Sequence, residues 1–285
     1  METSSIADRI TQRFVAGHTL EQELAVCRRL NAENILASLD HLGENVQSLE
    51  AATSSCVTYL KALDQIADLG LKATVSIKLT QFGLDFSTEA CRANVEKLVE
   101  RAKVIGTRIE IDMESSEYVD RTLEIVSGLH EKYGSVRAVI QAYLYRSQKD
   151  IENLNLQGIP VRLCKGAYSE PPAVAFSKKA EVDANFVRLM ERLLENGAYP
   201  AIASHDEKII QRALAFARER NLGSERFEFQ MLYGIRRDLQ RKLVKAGYWL
   251  RLYVPYGNAW YPYFMRRLAE RPANVLFLIR NLLRS

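Results

Sequence analysis

Polar side chains recur at the ends of short apolar runs: Glu44, Lys78, Asp112, Gln141, Arg162, Lys165, His205, Gln230 and Tyr253. A charge on an otherwise apolar run is costly unless it is paired or used. Each residue alone reads equally well as a structural ion pair, but as a set they point to a site. Lys78, Arg162, Lys165, Arg266 and Arg267 outweigh Asp112 and Glu44 within it. That balance suits anion binding and electron withdrawal, with phosphate, carboxylate or a reduced anionic cofactor as the occupant.

The segment YPYFMRRLAE sets Tyr263 one helical turn before Arg266 and Arg267. Neighbours on a helix diverge by about 100°, so both arginines grip one carboxylate only if it lies along the edge between them. By itself an Arg-Arg pair is more simply an exposed basic helix face. Lys78 and Lys165 have a second reading as Schiff-base lysines of a lyase, since clustered cations help to keep an amine neutral. Metal chemistry is not expected: of four histidines only His205 falls at a strand end, while His18, His41 and His130 read as helical or strand-interior. Cys27, Cys56, Cys91 and Cys164 show no CxxC spacing, so neither a zinc site nor a disulfide framework is expected.

The elements that position these residues follow a βαβ rhythm: a short apolar run, a polar turn, then a longer stretch with apolar residues three and four apart. The expected strands are 35–42, 73–79, 108–113, 137–144, 160–165, 199–204, 226–232 and 248–254, with helices over 87–103 and 180–195 among those between them. Eight strands are the number that closes a (β/α)8 barrel, and active sites of such barrels lie at the C-terminal ends of the strands. A doubly wound sheet shares the rhythm, but its dinucleotide-binding form needs a GxGxxG turn that is absent here. We therefore expect an α/β chain forming a single domain over 1–285. Residues 1–34 would form N-terminal helices, and 35–285 a (β/α)8 TIM-like barrel with a C-terminal helix.

The 285 residues suffice for a substantial core. Apolar residues make up 47% and charged residues 26%, as in an ordinary globular protein. A net charge of +4, dispersed along the chain, argues against a nucleic acid partner. The opening METSSIADRITQRF lacks the apolar centre of a secretory signal, and no stretch reaches the ~18 apolar residues of a spanning helix. A cytoplasmic location is expected. The terminal PANVLFLIRNLLRS reads as an amphipathic helix that packs over the barrel, with peripheral contact at the inner face of a membrane as its alternative role.

Seven segments in order, VSIKLTQFG, EIDMES, VIQAYLYRS, VRLCKGAY, ASHD, FEFQMLYG and LYVPYGN, the last followed by YPYFMRRLAE, resemble the motifs of the proline dehydrogenase family. They run from residue 75 to 270, and LGE at 42–44 is similar as well. The resemblance implies a (β/α)8 barrel that binds FAD without a Rossmann domain, in the monofunctional form. It implies that L-proline is oxidised to 1-pyrroline-5-carboxylate by hydride transfer to FAD, the first step of proline catabolism to glutamate, with electrons passed to a membrane quinone or another acceptor.

By the same resemblance Lys78, Arg266 and Arg267 bind the proline carboxylate, Asp112 orders the site, and Arg162 stands against the flavin near N5. Met113, Gln141, Lys165, Gly166, Ala167, Ser204, His205 and Gln230 match positions that hold FAD, Ser204 replacing a more usual threonine. Gly166 would let the backbone approach the cofactor. Tyr168 and Tyr253 match aromatic positions near the pyrrolidine ring, Tyr253 favouring proline over hydroxyproline. Glu44 and Arg266 match an ion pair that caps bound substrate.

Overall fold

The computed structural model describes residues 14–43 and 45–259. Eight parallel strands close into a barrel in sequence order: β1 Leu36–His41, β2 Ala73–Ile77, β3 Ile109–Ile111, β4 Val136–Gln141, β5 Val161–Cys164, β6 Ala201–Ala203, β7 Glu228–Leu232 and β8 Leu250–Tyr256. β1 closes the ring against β8 in a register running from Leu36 opposite Arg251 to His41 opposite Tyr256. The expected barrel is therefore present. The expected single-domain extent over 1–285 concerns termini that lie partly outside the described residues.

The helices are α1 Leu20–Ala32, α2 Leu49–Asp68, α3 Thr88–Val104, α4 Val119–Tyr133, α5 Ser147–Leu156, α6 Lys179–Asn196, α7 Glu207–Glu219 and α8 Arg237–Lys245. α1 precedes the barrel, and each later helix follows the strand one number below it. Their starts are encoded locally. Thr19 and Gln22 form a capping box at α1, and the hydroxyls of Ser48 and Ser87 accept from the N–H of Ala51 and Ala90 at 3.2 and 3.1 Å. Between barrel and helices the core is apolar, with Leu39, Val75, Ile77, Leu98, Ile111, Leu163, Leu189 and Phe229 all fully buried or nearly so. Each such side chain withdraws roughly 1.5–3 kcal/mol of apolar surface from water.

β3 and β6 are shorter than expected, and each has a physical reason. Residues 112–114 leave the ladder once the Asp112 N–H has donated to the Ile77 carbonyl at 2.8 Å. Before β6, Tyr199 adopts φ +51, and Pro200 cannot donate to a ladder. His18 precedes α1 rather than lying on a helix, and His41 is the last residue of β1 rather than interior to it. The His41 ring packs on Tyr256, with centroids 4.8 Å apart, while the His41 backbone N–H donates to the Tyr59 hydroxyl.

The barrel interior departs from the branched apolar layers usual in this fold. Its floor is a buried charge network in which Arg137 pairs with Glu228 at 2.6 Å and Glu110 at 3.2 Å, and Arg251 with Glu228 at 2.9 Å. Burial alone would raise the Glu110 carboxyl, but Arg137, Arg162 and Arg251 outweigh it and hold Glu110 below the usual carboxylate range. The same balance of burial against Arg251 and Arg137 leaves Glu228 well below the usual carboxylate range. These ionised partners make a rigid platform under the site.

Candidate active site

Above the floor, inward side chains from several strands meet at one carboxylate. Asp112, at the end of β3, pairs through Oδ1 with Arg162 of β5, while its Oδ2 accepts from the Tyr253 hydroxyl of β8 at 2.8 Å. Lys78, just past β2, donates to the same Oδ2 at 3.4 Å, to Tyr253 Oη at 3.2 Å and to Asp40 Oδ1 of β1 at 3.3 Å. Arg162 also reaches down to Glu110 Oε2 at 3.2 Å, donates to Ser76 Oγ at 3.3 Å and to Gln230 Oε1 at 3.2 Å. Its guanidinium and the Lys78 ammonium lie 5.4 and 5.9 Å from the Tyr253 ring centroid. The structure thus brings together four residues predicted from sequence, Lys78, Asp112, Arg162 and Tyr253.

The expected excess of cations is corrected within the described residues. Asp40 and Glu110 join Asp112, so Lys78 and Arg162 are matched by carboxylates. Lys165 likewise pairs with Asp183 at 2.5 Å and Asp206 at 3.2 Å. The reason is the cost of an uncompensated charge in a barrel interior. Lys165 in turn helps Lys179 to pull the Asp183 carboxyl down against its burial.

The other described sequence candidates lie in or just past β3 to β7. Gln141, at the end of β4, donates through Nε2 to the Glu114 carbonyl at 2.9 Å. Gln230 Nε2 donates to Glu228 at 2.7 Å and Glu110 at 3.1 Å. Ser204 Oγ accepts from the Asp206 N–H at 3.1 Å at the head of α7. His205 Nε2 accepts from the Leu232 N–H at 2.8 Å, which in the neutral ring places the proton on Nδ1. Met113 is buried, Tyr168 half-buried and Ala167 exposed. Gly166 takes φ +118, and a Cβ there would meet the Tyr143 ring at 2.3 Å. The close approach that demands glycine is therefore to Tyr143. Glu44, Arg266 and Arg267 lie outside the described residues, as does the segment expected to form the terminal helix.

The sequence reading missed Asp40, Glu110, Glu114, Arg137, Glu228 and Arg251. A signal for three of them was available in the alternation Glu110/Asp112, Glu228/Gln230 and Arg251/Tyr253, because residues two apart on a strand share a face.

Gln141, Arg162, Lys165, His205 and Gln230, in or just past β4 to β7, are polar side chains of a kind that could hold an acceptor-rich cofactor. Among the described residues no group of His, Cys, Asp and Glu is arranged to hold a metal ion. No described helix is long and apolar enough to cross a membrane.

Comparison with known proteins identifies the family and the fold. The family model described as proline dehydrogenase matches residues 24–280. Proline dehydrogenase 2 of Bacillus subtilis (strain 168) is 40% identical over 270 residues, covering 95% of this chain and 89% of that protein. The proline dehydrogenase of Deinococcus radiodurans is 39% identical over 281 residues, covering 97% and 91%. The crystal structure of proline utilization A (PutA) from Bdellovibrio bacteriovorus, inactivated by N-propargylglycine, superposes with a TM-score of 0.85 at 27% identity. This chain is covered to 90%, against 32% of that longer one. An eight-stranded barrel with a charged interior, and relatives aligned over nearly its whole length, place the chain in the proline dehydrogenase family.

Proposed function

We propose that this protein oxidises L-proline to 1-pyrroline-5-carboxylate with FAD as its cofactor, and passes the electrons to a membrane quinone or another acceptor, opening the breakdown of proline to glutamate. The observation that carries this reading is the convergence of Lys78, Arg162 and Tyr253 on Asp112 at the barrel mouth, in a chain of this family. FAD would be held by Met113, Gln141, Arg162, Lys165, Gly166, Ala167, Ser204, His205 and Gln230, and when bound it supplies the hydride acceptor.

The chain's own residues prepare the substrate. Lys78, with Arg266 and Arg267, holds the carboxylate and so orients the adjacent amine, which must be neutral for its lone pair to enter the forming C=N bond. Asp112 fixes Lys78, Arg162 and Tyr253 relative to one another, so the site is organised before substrate arrives. Arg162 contributes a fixed positive charge where negative charge grows during the reaction. Tyr253 and Tyr168 pack on the pyrrolidine ring, and the Glu44–Arg266 pair caps it. The reaction takes place in the cytoplasm, with the terminal helix packed over the barrel or resting at the inner membrane face.

A Schiff-base lyase is disfavoured by the same contacts. Such a lysine must present a neutral amine, whereas Lys78 lies between Asp40 and Asp112, and Lys165 between Asp183 and Asp206. Purified protein supplied with FAD should reduce a soluble quinone in the presence of L-proline but not D-proline. Quinone reduction independent of proline, or none with added FAD, contradicts the proposal.

A further inference from the structure

Two residues past Asp112, Glu114 is 4% exposed and has no role in the account above. Its carboxylate makes a two-point clasp on Thr80: the Thr80 N–H donates to Oε1 at 3.0 Å and the Thr80 hydroxyl to Oε2 at 2.6 Å. Thr80 is fully buried in a 3-10 turn, Leu79–Phe82, that starts immediately after Lys78. On the other side of Lys78, the Asp112 N–H donates to the Ile77 carbonyl at 2.8 Å. Residues 77 and 80 are therefore both tied to the segment 112–114, and Lys78 is bracketed between the ties.

We propose that Glu114 is a positioning residue for substrate: by clasping Thr80 it fixes the backbone from which Lys78 reaches Asp112 and the carboxylate of proline. The proposal rests on the reading of Lys78 as a carboxylate contact. A lysine side chain is long and flexible, so where its ammonium can be held depends on where its backbone is anchored. The main chain of Glu114 is itself held, because its carbonyl accepts from Gln141 Nε2 at 2.9 Å. Glu114 thus joins the mouths of β2, β3 and β4. Thr80 Oγ1 also accepts from the Asn45 N–H at 3.3 Å, which extends the clasp to the loop after β1.

The test compares Glu114→Ala, Glu114→Gln, Thr80→Val and Thr80→Ser in the FAD-loaded enzyme. Flavin content, kcat and KM for L-proline are measured, together with the Kd of cyclopentanecarboxylate read from perturbation of the flavin absorption band. Glu114→Ala and Thr80→Val are expected to raise KM and Kd together by about 10- to 100-fold, the scale of a misplaced contact. Flavin content should hold and kcat should change by less than about threefold. Thr80→Ser keeps the hydroxyl, and Glu114→Gln keeps both points of the clasp, accepting the Thr80 N–H through Oε1 and donating Nε2–H to the Thr80 hydroxyl oxygen, so both should recover most of the affinity. A brace that only stabilises the loop would lower Tm without separating KM from kcat. Unchanged KM and Kd in Glu114→Ala and Thr80→Val overturn the proposal, as does a Thr80→Ser variant that behaves like Thr80→Val. Should Glu114→Ala not fold, the two Thr80 variants decide. A wild-type protein that does not oxidise proline overturns the reading of the site itself; an active one with insensitive variants overturns only the role of Glu114.

Discussion

The Tyr253 hydroxyl donates to Asp112 Oδ2 at 2.8 Å, and that same oxygen lies 3.4 Å from Lys78 Nζ. Tyr253 therefore holds one corner of the Lys78–Asp112 pair, in addition to the ring-packing role proposed for it. Tyr253→Phe keeps the ring and deletes a hydrogen bond to a charged group, which contributes about 1.5–3 kcal/mol. KM for L-proline should rise by about tenfold or more, with flavin content retained. Tyr253→Ser should in addition narrow the preference for proline over trans-4-hydroxyproline by leaving space and a hydroxyl partner. A Tyr253→Phe enzyme with wild-type KM would show that the bond does not organise the site.

Arg162 is held between Asp112 and Glu110, so Arg162→Met removes a charge and leaves two buried carboxylates short of a partner. Breaking a buried pair costs about 3–5 kcal/mol, and Tm should fall accordingly. If Arg162 faces the flavin, the reduction potential should also drop, and reduction by proline should slow by a factor on the order of 10² to 10³. Stopped-flow reduction and potentiometry read both effects. A normal potential with a normal rate would place Arg162 away from the flavin.

Lys78 already answers to Asp40 and Asp112, so a substrate carboxylate must compete for it. The adjacent arginines 266 and 267, which lie outside the described residues, should then share the carboxylate affinity with Lys78. Arg266→Met and Arg267→Met should each raise KM by about tenfold or more while flavin content is kept. Unchanged KM in both would make the pair an exposed basic face.

Glu23 on α1 is fully buried with neither carboxylate oxygen hydrogen-bonded, and burial, aided by Asp40, pushes its carboxyl well above the usual range. Below about pH 4 both folded and unfolded states carry the proton and no penalty arises. As pH rises the unfolded chain ionises first, which favours unfolding. Glu23→Gln should therefore match the wild type near pH 4 and exceed its Tm at pH 7 by on the order of 5 °C. Equal Tm values at pH 7 would show that Glu23 is ionised and satisfied in the folded protein.

The strands were legible because apolar runs of β length alternate with helical periodicity, and that pattern survives without knowledge of pairing. β3 and β6 were drawn too long because a ladder's end depends on its neighbour: Asp112 has Ile77 to pair with, and residues 113 and 114 turn away. The mouth residues Lys78, Asp112, Arg162 and Tyr253 were legible as polar side chains on apolar strands. Their partners were not. That Asp40 reaches Lys78, or that Glu110 lies under Arg162, follows from barrel register and not from spacing along the chain. Gly166 shows the same limit, for its sequence context suggests a ligand while its Cβ position is closed by Tyr143.

The central claim is that proline delivers electrons to a flavin held by this barrel, and anaerobic titration of the purified protein with L-proline tests it most directly. The account predicts a yellow protein whose visible flavin band is bleached by L-proline and restored when a quinone is added. A protein that stays colourless and inert after reconstitution with FAD, or a bound flavin that L-proline does not reduce, would contradict it.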